Sequence, residues 1–287
     1  MYLGCILERE NFSGEEVMDR LTTSLHRAIA AAGWLSVIVG VFTPAWFALA
    51  ALGTKWGLWD WSIGLNVLTL EWGPRLVWLC LGAGIVSLLV ILAHRLVAHQ
   101  LEGNFLAPAL ALTVGLVGSF LFWQDGTKRE AVAVVLDITT DASEPPHFTA
   151  GFVSRRSAAD LSLEYAGKTG VDGRVLSEMQ QEAWPNLTTL HLGDEPAIVY
   201  DRALFQAREA GWRIGTASKS AGMFEAGDES FWFGFRDDIV VRVRSDENGG
   251  SVVDMRSLAR QPAHDLGRNA ERVGEFLAVL GLDQASE

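Results

Sequence analysis

Read for hydrophobic and polar positions alone, the chain falls into two halves. From Ala28 to Leu52 no charged residue interrupts the apolar run, which exceeds the roughly 20 residues a helix needs to cross a hydrocarbon layer about 30 Å thick. This run (28–52) predicts a first transmembrane helix, and Pro44 predicts either a kink in it or an early end. Two more apolar runs, 76–93 and 105–123, predict a second and a third span. Pro108 falls in the first turn of the third, where a missing N–H costs little. The polar gap between them, with His94, Arg95, His99, Glu102 and Asn104, is short enough to force an antiparallel hairpin. Between the first two spans Trp56, Trp59, Trp61 and Trp72 cluster in a segment that reads as an interfacial loop, because indoles favour the headgroup level; a lipid- or sugar-binding face is the alternative. Ahead of the spans, residues 1–27 read as a polar tail with a short helix at most.

After Trp123 the pattern changes. Residues 124–152 read as a juxtamembrane linker whose apolar part is either a short strand or an extended strut, ended by Pro145 and Pro146. Residues 153–287 read as a soluble α+β domain that opens with a surface loop over 153–173. A short helix is expected to stop before Pro185, and another runs from Asp201, as N-cap, to Ala210, with Gly211 in the C-terminal turn. From Trp212 the period becomes that of strands: W-R-I-G-T-A-S, G-M-F-E-A, F-W-F-G-F, D-I-V-V-R-V-R and S-V-V-D-M-R-S-L are short alternating runs broken by turn residues, with D-E-N-G-G as a hairpin signal. Val273, Phe276, Leu277 and Leu280 then mark one face of a last helix starting near Asp265. The fold class is therefore an antiparallel sheet of about four to five strands flanked by helices, preceded by three transmembrane helices.

Composition sharpens this division. Eight of the 11 tryptophans precede Gln124, while most of the net charge of -12 follows it. An acidic soluble half argues against nucleic acid and anionic headgroups as partners of its overall surface. Only Cys5 and Cys80 are present, so neither a disulfide framework nor a thiolate metal site can be built. M-Y-L-G-C lacks the leader of a lipoprotein cleavage box, and Met18 is a second possible start. Lys and Arg are nearly balanced on the two sides of three spans, so counting them does not orient the chain.

The candidate chemistry lies in the two strands near the C-terminus. Side chains alternate faces along a strand, so Ile239, Val241 and Val243 share the core face with Asp237, while Asp238, Val240, Arg242 and Arg244 share the other. On the partner strand Val253 and Met255 point inward, and Asp254 and Arg256 outward. The outward face is then either a solvated ladder of cross-strand ion pairs or a recognition surface whose arginines fork a carboxylate or phosphate. Asp237 and Asp238 face opposite ways and do not form a catalytic pair. The scattered histidines and the absence of H-E-x-x-H, a calcium loop, a phosphate loop or a nucleophile elbow give no metal, cofactor or nucleophile site.

Several spaced motifs resemble one family: D-I-T-T-D-x-x-x-P-P-x-F, W-P-N-L, A-G-W-R-I, F-G-F-R-D-D-I-V-V-R-V, V-D-M-R-S and D-L-G-R-N-A-E-R are similar to the domain of unknown function 1499 family, from Asp137 to Leu280. The spans with the G-L-W-D-W loop resemble its membrane-anchored bacterial form. The resemblance implies Asp237, Asp238, Arg256, Ser257, Arg260, Asp265, Leu266, Gly267, Asn269 and Arg272 as characteristic positions, and no activity. Where the family reads R-S-x-S-R-x-G-x-S-D-L-G, this chain has Ala259, Pro262 and His264, which weakens any role of those hydroxyls in catalysis. The resemblance also implies an N-terminus inside and a periplasmic soluble domain in a bacterial inner membrane.

The function expected from these readings is non-catalytic binding of a small ligand or another envelope protein. Asp237, Asp238, Arg242, Arg256, Ser257, Arg260, Asp265, Asn269 and Arg272 are the candidate contacts, and the bilayer is the one partner the spans require. The alternatives are a hydrolase acting through Asp238 or Asp265 with His264, and a structural subunit of a membrane complex.

Overall fold

The computed structural model describes residues 14–98, 103–157, 160–170 and 172–285. Cys5, His99, Glu102 and the first 13 positions of the polar tail lie outside the described residues. The chain divides into two compact units between Gln124 and Asp125.

The first unit holds helices α1 (Gly14–Lys55) and α2 (Trp72–Ala98), a π-helical segment (Ile63–Glu71) leading into α2, and most of α3 (Leu106–Ala131). Three helical stretches, Glu16–Lys55, Ile63–Val97 and Leu106–Ala131, are long and apolar enough to cross a membrane. Two expectations change here. α1 is already helical from Gly14 and continues through Pro44. The tryptophan segment is mostly helix, not loop, because Asp60 caps its start by accepting from Ser62 N at 2.9 Å and Ser62 Oγ at 2.7 Å. Trp59 folds back and donates to Ala50 O and Thr54 Oγ1. Gly53 makes room for its ring, since a Cβ there would lie 2.2 Å from the indole. Trp56 and Trp72 are exposed and Trp61 is half-buried.

The second unit contains β1 (Asp137–Thr139), α4 (Ala150–Val153), α5 (Leu176–Ala183), β2 (Leu190–Leu192), α6 (Pro196–Glu209), β3 (Arg213–Ser218), β4 (Met223–Glu229), β5 (Arg236–Ser245), β6 (Ser251–Ala259) and α7 (Arg268–Ala285). The strands form one antiparallel sheet in the order β1-β6-β5-β4-β3, and β2 also pairs with β6. Six strands thus replace the expected four to five. The strut alternative is overturned: Val135 and Ile138 are fully buried, and β1 pairs with β6, so this segment completes the core. β2 escaped notice because three residues are too short to show a period.

Ile239, Val241, Val243, Val253 and Met255 join Val273, Phe276 and Leu280 of α7 in the main core, as alternation and helical spacing require. α6 starts at Pro196 after Glu195, so Asp201 is an interior residue and not an N-cap; proline at the first helical position is the stronger start signal. Gly211, at φ 78°, ends α6 as expected. F-W-F-G-F is a turn rather than a strand, closed by Ser230 N to Phe235 O (2.8 Å) and Gly234 N to Ser230 O (3.1 Å).

Candidate functional site

The candidate residues separate into two polar networks on opposite faces of the sheet. The first lies on the face away from α7, where alternation puts Asp238, Arg242, Asp254 and Arg256. That face is not solvated. Residues 140–157 and 160–168, read above as strut and surface loop, fold over it, and Asp238, Asp254 and Arg256 have no exposure.

Arg256 forks Asp137, Nε to Oδ1 and Nη2 to Oδ2, each at 2.8 Å, and Nη2 also donates to Leu163 O. Its guanidinium lies 5.3 Å from the Tyr165 ring centroid and 5.7 Å from that of Phe148. Lys168 Nζ adds a 2.7 Å contact to Asp137 Oδ2. Arg260 wraps Asp238 with Nε and Nη2 bonds of 2.9 and 2.7 Å to Oδ1, and Arg156 pairs with the same carboxylate. Asp254 accepts from Thr140 Oγ1, Thr189 Oγ1, Arg242 Nη2 and Arg244 Nη2. On β4, buried Glu225 accepts from Thr149 Oγ1 at 2.8 Å.

Burial pushes the Tyr165 hydroxyl up to about 12, and the nearby Asp137 charge acts in the same direction. Burial also lowers Arg156, with Asp160 opposing it. At the margin of this network, burial raises Asp141, but hydrogen bonds from Ser143 and from Glu144 N outweigh it and hold the carboxyl below its ordinary value.

The second network joins β5, β6 and α7. Asp265 caps α7: Oδ1 accepts from Gly267 N and Oδ2 from Asn269 N and Nδ2. The D-L-G motif makes the turn possible with two successive left-handed residues, Leu266 at φ 56° and Gly267 at φ 82°. The cap orients Asn269, whose Oδ1 accepts from Ser257 Oγ (2.6 Å) and Arg272 Nη1 (2.7 Å). Arg272 Nη2 then reaches Asp237 Oδ2 and Asp228 Oδ2, both at 2.7 Å. Burial raises Asp237, with the charge and hydrogen bond of Arg272 opposing.

His264 Nδ1 accepts from Leu266 N at 3.0 Å, so its Nε2 carries the proton and faces Arg129 O at 3.4 Å.

The second network reaches an open surface at a cleft. A cleft of about 430 Å³ lies between α6, α7 and the neighbouring ends of β3 and β4. Trp212 and Phe276, stacked at 5.1 Å and 27°, line it, with Asp228, Arg268 and Arg272 on one wall. Arg268 donates one bond to Asp228 Oδ2 at 3.2 Å and is 42% exposed, which leaves other donors facing the cleft. Glu271 and Glu275 also line it. Among the described residues no group of three or more His, Cys, Asp or Glu could hold a metal ion.

Sequence reading found Arg272 but missed Asp137, Asp228, Arg268 and Trp212 as its structural equals. The D-I-T-T-D motif was the available signal for Asp137. A-G-W-R-I and D-L-G-R-N were the signals for Trp212 and Arg268; for Asp228 there was none, because its role depends on which strand ends meet α7.

Residues 137–280 match the family model described as Protein of unknown function (DUF1499). No curated protein matches the chain.

Proposed function

We propose, for a chain that belongs to the DUF1499 family of proteins of unknown function, that the soluble domain is a non-catalytic binding module whose ligand or envelope partner seats in the cleft between α6 and α7. The observation that carries this reading is Arg268. It stands half-exposed beside the Trp212–Phe276 stack with one bond, to Asp228, while Arg256 and Arg260 of the other network are consumed by internal pairs. Pockets with apolar floors and a few fixed polar groups are the usual form of a binding site.

The hydrolase alternative is disfavoured by the engagement of its three residues. Asp238 is enclosed by two arginines, Asp265 caps a helix, and both nitrogens of His264 face backbone groups. A general base must reach its substrate.

The test uses full-length protein in dodecyl maltoside, labelled with 5-fluorotryptophan, with the Trp212 resonance assigned through Trp212→Phe. Arginine amide, glycerol phosphate and N-acetylglucosamine are the probes. At least one is expected to move the Trp212 resonance, and Arg268→Ala to weaken that response several-fold while leaving thermal unfolding unchanged. A Trp212 signal indifferent to all three counts against the cleft.

In the same reading the protein is a multi-pass component of a bacterial inner membrane, with its N-terminus inside and the soluble domain in the periplasm. The three long apolar helices and the resemblance to the anchored family form support this. Alkaline phosphatase fused after Glu287 is expected to be active. An inactive fusion, together with a fluorescent cytoplasmic reporter at the same point, would reverse the orientation.

A further inference from the structure

We propose that the first unit binds, between α1, α2 and the start of α3, the ring of a flat, uncharged, lipid-soluble dione of the quinone type.

A pocket of about 290 Å³ lies there, wholly within the first unit. Ile29, Val37, Ile91 and Ala107 give it apolar walls, Trp34 lines it as well, and the small residues Ala30 and Gly33 leave it room.

The observation that carries the proposal is Ser87. It lines the pocket, is 1% exposed, and its hydroxyl has no hydrogen-bond partner among the described residues. A serine inside a helix ordinarily gives its proton to the carbonyl four residues back. Here that carbonyl, Ala83 O, accepts instead from Ser36 Oγ of α1 at 3.1 Å. Ser87 lies six residues from the end of the apolar run 76–93, about 9 Å deep along the helix, where no water is at hand to satisfy it. A donor left unpaired in such a setting is costly, and polar groups inside apolar helices mark ligand sites.

Asn104 supplies a second donor. Its Oδ1 accepts from Leu106 N at 2.9 Å, which fixes the amide and leaves Nδ2 to face a ligand. The two donors come to one pocket from different elements, α2 and the residue ahead of α3. Among the described residues that line the pocket none is charged, so an ionic head finds no counter-charge there. A plain acyl chain offers Ser87 no acceptor. A quinone ring offers one carbonyl on each side of a neutral, flat body, and the pocket has the volume of one such ring with its substituents. A diacyl lipid also carries carbonyls, but it brings two chains that this volume does not hold.

The test uses full-length protein in dodecyl maltoside labelled with 5-fluorotryptophan, the resonances of Trp34 and Trp78 being assigned through Trp34→Phe and Trp78→Phe. Trp78, exposed on α2 and outside the pocket lining, reports partition into the micelle. Decylubiquinone, decylbenzene and dioctanoylglycerol are the probes: a dione, a ring with the same chain and no carbonyl, and an ester. Decylubiquinone is expected to shift Trp34 saturably, at concentrations several-fold below those the other two need, while Trp78 responds alike to all three. Ser87→Ala, and Asn104→Ser, which keeps an oxygen for Leu106 N, are each expected to weaken that shift several-fold and to leave thermal unfolding unchanged. Equal responses of Trp34 to decylubiquinone and decylbenzene overturn the proposal, because the groove is then apolar and no more. So does a tighter response to dioctanoylglycerol, which makes an ester lipid the occupant, or a Ser87→Ala protein that binds decylubiquinone as the parent does.

Discussion

Arg256→Ala is expected to leave the soluble domain unfolded or close to it. The substitution strands the Asp137 carboxylate, which has no exposure, with Lys168 as its remaining cation. Removing one partner of a buried pair costs about 3–5 kcal/mol, a large fraction of the 5–15 kcal/mol typical of a whole domain. The aromatic contacts to Phe148 and Tyr165 go with it. Thermal loss of near-ultraviolet circular dichroism, followed on the full chain in detergent, measures the effect. Arg256→Lys should fall between the two, because it keeps the charge and loses the two-bond fork. The double change Arg256→Met with Asp137→Leu should be milder than Arg256→Ala alone, since no charge is then left unpaired. A single variant within about 1 kcal/mol of the parent would show that the pair behaves as an exposed one and that residues 140–157 and 160–168 do not seal this face.

Asp254→Ala is expected to cost about 3 kcal/mol or more, with a different signature. Asp254 collects donors from Thr140, from Thr189 just before β2, and from Arg242 and Arg244 of β5. Its loss should release residues 140–144 and β2 from β6 ahead of the rest of the sheet. Hydrogen exchange reads this directly: the Met255 amide, bonded to Thr140 Oγ1 at 3.0 Å, should lose protection, while the Val241 amide in the central strand keeps more of its own. Thr189→Val should lose only about 1 kcal/mol, the worth of one hydrogen bond. Uniform loss of protection at both amides would mean that Asp254 supports the whole sheet rather than its β1–β2 margin.

The two variants address what sequence reading could not decide about the arginine and aspartate positions. Alternation along β5 and β6 assigns Asp238, Arg242, Asp254 and Arg256 to one face, and the structure places them there. Whether that face meets water depends on residues 140–157 and 160–168, whose turns, prolines and serines carry no period. The cover becomes visible only when Asp137, Thr140, Thr149, Arg156 and Lys168 are seen to supply partners for the strand charges. Asp265 was legible because a cap is a local device, two to four residues long. The cleft was not, because it assembles Trp212, Asp228, Arg268 and Phe276 from β3, β4 and α7.

By itself the sequence determined the three apolar helices, the antiparallel α+β domain after them, the inward face of each long strand and the family. These follow from local periodicity, composition and spaced motifs, each contained within a stretch of chain. Tertiary structure alone decided that the charged sheet face is buried, that β1 and β2 complete the sheet, and that a cleft opens between α6 and α7. The reason is physical: the burial of a charge is set by which distant segment covers it and brings the matching charge, and neither is encoded in the charge's own neighbours along the chain.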